Sequence, residues 1–185
     1  MRIEQLKIED YKQVIQNAIT NREDCLLYAV LPKNIVYKGK GEIDKEYCQE
    51  HNIEIYNSVD FGGGIVGFEG DLVFIILKQD GWNIGEELGV LVKDYLVDCG
   101  LNANLANNDV LIDDIYKVAS YSSANTGDGF IYTAIQITFN ADNEIIRHIC
   151  KKDSVKIPRG LTYYNIDKDD LLYNILNYIE RTRNE

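Results

Sequence analysis

Three stretches of the chain place apolar residues three and four positions apart, the spacing that lines one face of an amphipathic helix. The apolar positions are Tyr11, Val14, Ile15, Ala18 and Ile19 in the first stretch, Leu88, Leu91, Val92, Tyr95, Leu96 and Cys99 in the second, and Leu171, Leu172, Ile175, Leu176 and Ile179 in the third. Asn83 and Glu86 approximate a capping box that starts the second helix, and Gly100 is expected to end it. Asp167, followed by Asp170, is expected to cap the third helix.

Two shorter helices are also predicted. Residues 44–51 form one, in which Asp44 suits the N-cap position and Asn52 the position after the last turn. Residues 145–150 form the other. Both lie between segments with an extended pattern, so helices are expected between groups of strands.

Extended apolar segments predict the strands of a sheet. Residues 26–31 are apolar and stop at Pro32, and residues 53–56 alternate between apolar and polar side chains. Residues 72–77 are a continuous apolar run, rich in β-branched and aromatic residues, which is typical of a strand buried on both faces.

Two later segments predict a hairpin and a long strand. Residues 110–112 and 115–118 flank Asp113-Asp114, which suggests two strands joined by a two-residue turn. Residues 131–139 alternate over nine positions and are expected to form a long strand. Hairpins with helices between them indicate an α+β fold, a mixed or antiparallel sheet covered by helices.

The composition agrees with one folded domain. Of the 185 residues, 45% are hydrophobic, which suffices for a core. The chain has two prolines and no low-complexity stretch, so no linker is indicated. Residues 1–185 are therefore expected to form a single domain.

The charge of the chain excludes some partners. A net charge of −11 disfavours nucleic acid and anionic membrane surfaces, because both would be repelled. The longest apolar run, residues 72–77, is far too short to cross a bilayer. The N-terminus lacks the apolar core of a signal peptide, so a cytoplasmic protein is expected.

The four cysteines point to neither a zinc site nor a disulfide framework. Cys25, Cys48, Cys99 and Cys150 include no CxxC pair, and the two histidines are not at ligand spacing. In the cytoplasm the thiols would be reduced. Cys25 and Cys99 lie in apolar segments and are expected to be small core residues.

A glycine triplet is the first candidate for a ligand site. Gly62, Gly63 and Gly64 follow an extended stretch, and three glycines let backbone N–H groups approach a ligand without side-chain obstruction. The plainer alternative is a flexible turn. Gly62, Gly64 and Gly67 also spell GxGxxG, but a strand follows instead of a helix, so a dinucleotide site is not indicated.

Lys117 is the second candidate, in the predicted hairpin after Asn108-Asp109. Its ammonium group, opposite a glycine-rich loop, could balance negative charge on a carboxylate or phosphate, whereas the plainer alternative is a solvated lysine. Asn108 and Asp109 could simply shape the turn that enters the strand. Asp109 could otherwise hold a magnesium ion or fix Lys117 in place.

These segments resemble motifs of the catalytic domain shared by lipoate–protein and biotin–protein ligases, including the related octanoyl and lipoyl transferases. Residues 61–66, Phe-Gly-Gly-Gly-Ile-Val, are similar to that family's Ser-Gly-Gly-Gly-Ala-Val. Asn108-Asp109 resembles its Asn-Asp, and residues 117–119, Lys-Val-Ala, resemble the stretch that carries its essential lysine.

The resemblance implies a class II synthetase-like acyl-ligase fold in which Lys117 contacts the acyl carboxylate or the acyl-adenylate. It also implies that residues 1–185 are a single ligase-like domain, without the small accessory C-terminal domain of longer lipoate ligases. It implies a set of ligand-binding residues with no metal ligand among them: Gly62, Gly63, Gly64, Ile65, Asn108 and Asp109. The implied reaction activates a lipoyl or octanoyl acid with ATP and Mg²⁺. The acyl group then passes to a lysine of a carrier domain, so lipoate or a similar carboxylic acid and such a carrier are the expected partners.

Departures from the family pattern support an alternative. Lipoate ligases usually place two arginines before the triplet, where this chain has Ser58 and Val59, and the family's His-Asp is Phe68-Glu69. The alternative is a non-catalytic relative that binds a ligand or partner without adenylation. A covalent route through Cys150 is disfavoured, because related transferases carry their cysteine ahead of the lysine.

Overall fold

The computed structural model describes residues 1–38, 43–57, 65–79, 84–150 and 156–182. The helices are α1 (Tyr11–Asn21), α2 (Lys45–Glu50), α3 (Ile84–Asp98), α4 (Asn143–Cys150) and α5 (Lys168–Thr182), with 3-10 turns at Ile8–Asp10 and Leu161–Tyr164. The strands are β1 (Arg2–Gln5), β2 (Cys25–Val30), β3 (Ile35–Lys38), β4 (Glu54–Asn57), β5 (Ile65–Gly67), β6 (Leu72–Lys78), β7 (Ala103–Ala106), β8 (Asp109–Ile112), β9 (Tyr116–Asn125), β10 (Ile131–Ile137) and β11 (Ile157–Pro158). Within these ranges, no helix combines the length and the apolar composition needed to cross a lipid bilayer.

Among the described residues the strands form two sheets. The larger sheet has the order β1-β2-β6-β10-β9-β8-β7, with β11 added beside β9. Its pairs are antiparallel except β1 with β2 and β11 with β9, which are parallel. The smaller sheet has the order β4-β3-β5. The predicted α+β architecture, a mixed sheet covered by helices, is confirmed.

Helices cover both faces of the larger sheet, and β6 at its centre is buried on both sides. Leu72, Phe74 and Ile76 pack against α3 and α5 in one core, the α3/α5 core. Residues of β6 at the alternate positions, Val73 and Ile75, pack in a second core that includes α1. The continuous apolar run at residues 72–77 thus correctly predicted a strand buried on both faces. Successive side chains point to opposite faces of the sheet, and each face is covered by one of the two cores.

Two aspartates predicted to cap helices, Asp44 and Asp167, do so. Asp44 Oδ1 accepts a hydrogen bond of 3.0 Å from the N–H three residues later, at the start of α2. Asp167 Oδ1 accepts one of 3.0 Å from the N–H of Asp170, at the start of α5. Gly100 follows α3 with a φ of +84°, a left-handed conformation that ends helices and suits glycine.

One core prediction is wrong. Cys25 is fully buried in β2, as predicted, but Cys99 is exposed. The helix α3 ends at Asp98, and Gly100 reverses the chain directly afterwards, so Cys99 does not continue the apolar stripe that its spacing suggested. The capping residue predicted at Asn83 lies outside the described residues.

Candidate functional site

The hairpin predicted around Asp113-Asp114 is present and carries Lys117. The strands β8 and β9 pair antiparallel, and Ile112 is the partner of Tyr116, so the loop has three residues instead of the predicted two because Ile115 belongs to it. Asp113 and Asp114 have φ values of +53° and +62°. Two successive left-handed residues are typical of a type I′ turn, whose twist matches that of the strands it joins, and aspartate tolerates this conformation better than most residues do. The strand β9 runs on to Asn125, well beyond the predicted end at residue 118.

A β-bulge decides which way Lys117 points. Val110 pairs with Ala119, but Leu111 pairs with Lys117, so β9 contains one extra residue at Val118. Val118 and Ala119 are both buried in the α3/α5 core although they are consecutive. The extra residue therefore reverses the alternation along β9 and places Lys117 on the opposite face of the sheet.

On that face, two lysines share the carboxylate of Asp109. Lys117 Nζ lies 3.0 Å from Oδ1, and Lys156 Nζ lies 2.7 Å from Oδ2. The Asp109 side chain is 18% exposed, compared with 35% for Lys117 and 29% for Lys156. Burial alone would raise the pKa of Asp109, but the hydrogen bond from Lys156 and the charge of Lys117 outweigh it, so the pKa is lowered. The three groups together keep a net positive charge.

Lys156 is the member of this cluster that the sequence pattern does not reveal. It precedes β11, whose parallel pairing sets Pro158 opposite Lys117, and the N–H of Arg159 donates to the Lys117 carbonyl at 3.0 Å. Lys156 Nζ also lies 3.5 Å from the carbonyl oxygen of Ala106. The return of the chain to β9 brings Lys156 to a residue 47 positions earlier, so no local motif signals the contact.

Asn108 shapes the turn that leads into β8. Asn107, its neighbour, has a φ of +57°, and Ala106 pairs with Asp109 across the turn. The Asn108 carbonyl accepts a hydrogen bond of 2.9 Å from the N–H of Tyr121. This geometry supports the turn-shaping interpretation of Asn108, and for Asp109 it supports the role of fixing Lys117. A ligand contact at either residue stays a prediction.

The glycine triplet, Gly62, Gly63 and Gly64, lies outside the described residues. The next residue, Ile65, begins β5, and its backbone pairs with Tyr37 of β3 in the smaller sheet. The approach of the triplet to Lys117 therefore stays a prediction.

Gln136 links β5 to the face that carries Lys117. Gln136 and Asp109 are both cross-strand partners of Ser120, so these three residues lie in a row on one face of the sheet. Gln136 Nε2 donates a hydrogen bond of 2.9 Å to the carbonyl of Val66 in β5. Because adjacent strands are about 5 Å apart, this row spans about 10 Å. The strand that directly follows the triplet thus lies over the same face as Lys117.

A buried carboxylate, Asp71, fixes this arrangement. Asp71 is fully buried and accepts hydrogen bonds from the N–H groups of Phe68, Phe139 and Asn140 at 3.0, 2.7 and 3.1 Å. Gln136 Nε2 also donates to it at 3.0 Å. Burial raises the pKa of Asp71 to about 6, although these donors favour the charged form. Asp71 therefore ties the turn after β5 to the end of β10.

An open cavity of about 860 Å³ lies at the end of β10, and Lys117, Asp109 and Lys156 are not among its described lining residues. It is lined on one side by residues 68–70 and on the other by Pro158, Arg159 and Gly160. Pro158 is the register partner of Lys117, so the cavity begins one strand away from the lysine. The Arg159 guanidinium carbon lies 3.3 Å from the ring centroid of Tyr116, a cation–π contact that holds a further positive charge at the wall.

The described residues contain no group of three or more histidine, cysteine, aspartate or glutamate side chains that could hold a metal ion. The carboxylate of Asp109 is occupied by two ammonium groups, which disfavours it as a magnesium ligand.

Solved structures of acyl–protein ligases share this architecture. A bipartite lipoate–protein ligase from Thermoplasma acidophilum, described with its E2 lipoyl domain, gives a TM-score of 0.75 at 15% identity and covers 99% of this chain and 83% of its own. LipL1 from P. falciparum in complex with lipoate gives 0.74 at 13% identity and covers 98% and 61% of the two chains.

Two further structures extend the comparison to other ligands. Lipoate–protein ligase A bound with ATP gives a TM-score of 0.71 at 16% identity, covering 100% of this chain and 86% of its own. A variant biotin protein ligase from Aquifex aeolicus in complex with biotin gives 0.57 at 17% identity, covering 98% and 69%. No protein-family model and no curated protein sequence matches the chain. Over nearly its whole length, the chain has the fold of the catalytic domain that lipoate–protein and biotin–protein ligases share.

Proposed function

We propose that this protein is a lipoate–protein ligase-like enzyme that activates a lipoyl or octanoyl acid with ATP and transfers it to a lysine of a carrier domain. The observation that carries the proposal is the bulge in β9, which places Lys117 on the face of the sheet that β5 contacts through Gln136. In the sequence, β5 directly follows the glycine triplet. The structural neighbours bound to lipoate and ATP, and the neighbour described with a lipoyl domain, support the substrate class.

In this proposal Lys117 supplies charge and position. Its ammonium group would pair with the acyl carboxylate and then with the negative charge that develops during activation. Asp109 would hold the Lys117 side chain on the correct face, as it does at 3.0 Å in the structure. Backbone N–H groups of Gly62, Gly63 and Gly64 would complete the opposite wall. ATP would supply the adenylyl group, with Mg²⁺ on its phosphates and pyrophosphate as the leaving group.

The second candidate is a non-catalytic relative that keeps the fold and binds a ligand or partner without adenylation. Ser58 and Val59 occupy positions where lipoate ligases usually have arginines, which removes two cations. Phe68 stands where the family has a histidine, and it is only 4% exposed. A buried phenyl ring can neither donate a hydrogen bond nor carry charge, so these changes weaken the case for phosphate chemistry.

Pyrophosphate release tests the two candidates directly. The purified chain is incubated with ATP, Mg²⁺ and either lipoate or octanoate, and pyrophosphate is measured with a coupled phosphate assay. We expect release that requires both ATP and the acid, and a loss of about 100-fold in Lys117→Met, because a single electrostatic stabiliser contributes on that order. The exposed Lys12→Met serves as the matched control and should retain full release.

Isothermal titration with lipoate and then ATP separates the remaining outcomes. Lipoate binding without pyrophosphate release would support the non-catalytic candidate. Absence of binding for lipoate, octanoate and ATP alike would refute the proposed enzyme.

A further inference from the structure

Asp109 holds two lysines, and a single lysine would suffice to neutralise it. We propose that Lys156 is a positioning residue that keeps Asp109 neutralised, so that Lys117 is free to leave Asp109 and pair with an anionic ligand. This inference rests on the function proposed above, in which a carboxylic acid binds beside Lys117. It assigns to Lys156 a role that acts on the ligand through Asp109 and Lys117, without contact with the ligand itself.

Each lysine contacts a different oxygen of the Asp109 carboxylate. Lys117 Nζ lies 3.0 Å from Oδ1, and Lys156 Nζ lies at the shorter distance of 2.7 Å from Oδ2. Lys156 is also held within 3.5 Å of the Ala106 carbonyl. The strand β11, which directly follows Lys156, is paired to β9 in register. The side chain of Lys156 and the backbone that follows it are therefore tied to the site, which suits a fixed counter-ion.

The burial of Asp109 makes such a counter-ion necessary. Its side chain is 18% exposed, and a carboxylate with so little access to water is costly to leave without a cation. If Lys156 were absent, movement of Lys117 toward a ligand would leave Asp109 unpaired. The binding of every anion at Lys117 would then have to overcome that loss, and its affinity would fall.

With Lys156 present, Lys117 can leave the Asp109 carboxylate and pair with the anionic group of the ligand, while Asp109 stays paired with Lys156. Its side chain is 35% exposed, the most accessible of the three groups, and it can reach solvent and a ligand more readily than Lys156. The three side chains carry a formal charge of +1 between them, in a chain whose overall charge is −11. A carboxylate or phosphate group is therefore the class of ligand that this local field attracts.

Lipoate affinity, measured by isothermal titration, tests the inference in four variants. Lys156→Met should weaken binding by about 10-fold and Lys156→Arg by less than about 3-fold, since arginine restores the charge. The double variant Asp109→Asn with Lys156→Met should regain affinity relative to Lys156→Met alone, because no carboxylate then competes for Lys117. A merely structural role for Lys156 predicts instead that the two losses add. Asp109→Asn alone completes the cycle, and Lys12→Met is the control.

A second readout needs no ligand. Acetic anhydride labels exposed amines, and peptide mass spectrometry gives the labelling rate of Lys117. In Lys156→Met, Lys117 should be labelled several-fold more slowly because Asp109 then holds it alone, and in Asp109→Asn it should be labelled faster. Circular dichroism shows whether each variant is folded.

The two readouts separate this inference from the proposed function. If the wild-type protein binds no lipoate but the labelling rates shift as predicted, the proposed function fails and the role of Lys156 stands. If the Lys117 labelling rate is the same in the wild-type protein, Lys156→Met and Lys156→Arg, the inference is overturned. Additive losses of lipoate affinity in the double variant overturn it as well.

Discussion

Replacing Asp71 by alanine should be among the most damaging single changes near the candidate site. Asp71 is fully buried, and its carboxylate satisfies the N–H groups of Phe68, Phe139 and Asn140 and one N–H of Gln136. Alanine leaves all four donors without this acceptor. Each unsatisfied buried donor costs about 1 to 3 kcal/mol, and relief of the buried charge offsets part of the sum, so we expect a loss of about 4 kcal/mol in the free energy of unfolding.

Urea and thermal unfolding at pH 8, where Asp71 is ionised, measure this loss. For a chain of this length, about 4 kcal/mol corresponds to a fall in melting temperature of about 8 to 16 °C. Asp71→Asn keeps the shape and one acceptor oxygen and should lose about half as much free energy. Asp128→Asn, at an exposed aspartate, is the matched control and should change little. A loss below about 1 kcal/mol for Asp71→Ala would show that Asp71 does not hold β5 to β10 as argued.

Three further predictions test other parts of the account. Gly160→Ala should destabilise the fold by about 2 to 3 kcal/mol, because a Cβ there would overlap the backbone carbonyl of Phe139; an unchanged melting temperature would contradict this. Asp167→Ala should cost about 1 kcal/mol through loss of the α5 N-cap, seen as a lower urea midpoint, whereas Asp167→Asn should retain the cap. The two lysines lower the pKa of Asp109 below its ordinary value of 3.8, so its contribution to stability is complete above that pH and is lost as the pH falls below it. The difference in unfolding free energy between wild type and Asp109→Asn should therefore shrink from pH 7 to pH 3, and a constant difference would refute the pairing.

The fold follows from patterns that act over short distances along the chain. Helical spacing, N-caps at Asp44 and Asp167, and the continuous apolar run at residues 72–77 each depend on neighbouring residues, and each is confirmed. The turn at Asp113-Asp114 is confirmed for the same reason, since two short polar residues between apolar segments favour a hairpin.

Several strands were missed because long-range pairing creates them. The strands β1, β7 and β11 have two to four residues and little alternation, and each lies at an edge of the larger sheet or beside β9. Short edge strands owe their existence to the partner strand more than to their own composition. The misplacement of Cys99 has a different cause, since its spacing matched the helix but Gly100 ended the helix before that position.

In the candidate site, too, local features were predictable from the sequence and long-range contacts were not. Lys117 and Asp109 were predicted from their place in the hairpin and from the family resemblance, and the structure brings them within 3.0 Å of each other. The bulge at Val118 sets the direction of Lys117. The sequence does not reveal it, because a strand with a bulge and a regular strand can have the same apolar composition. Lys156 and Asp71 were missed because both act through contacts with residues far away in the chain.

A crystal structure of the protein with lipoate tests the central claim most directly. The account predicts that the lipoate carboxylate lies within about 3 Å of Lys117 Nζ, while Asp109 remains paired with Lys156. Lipoate bound with its carboxylate elsewhere, and Lys117 still on Asp109, would contradict the account.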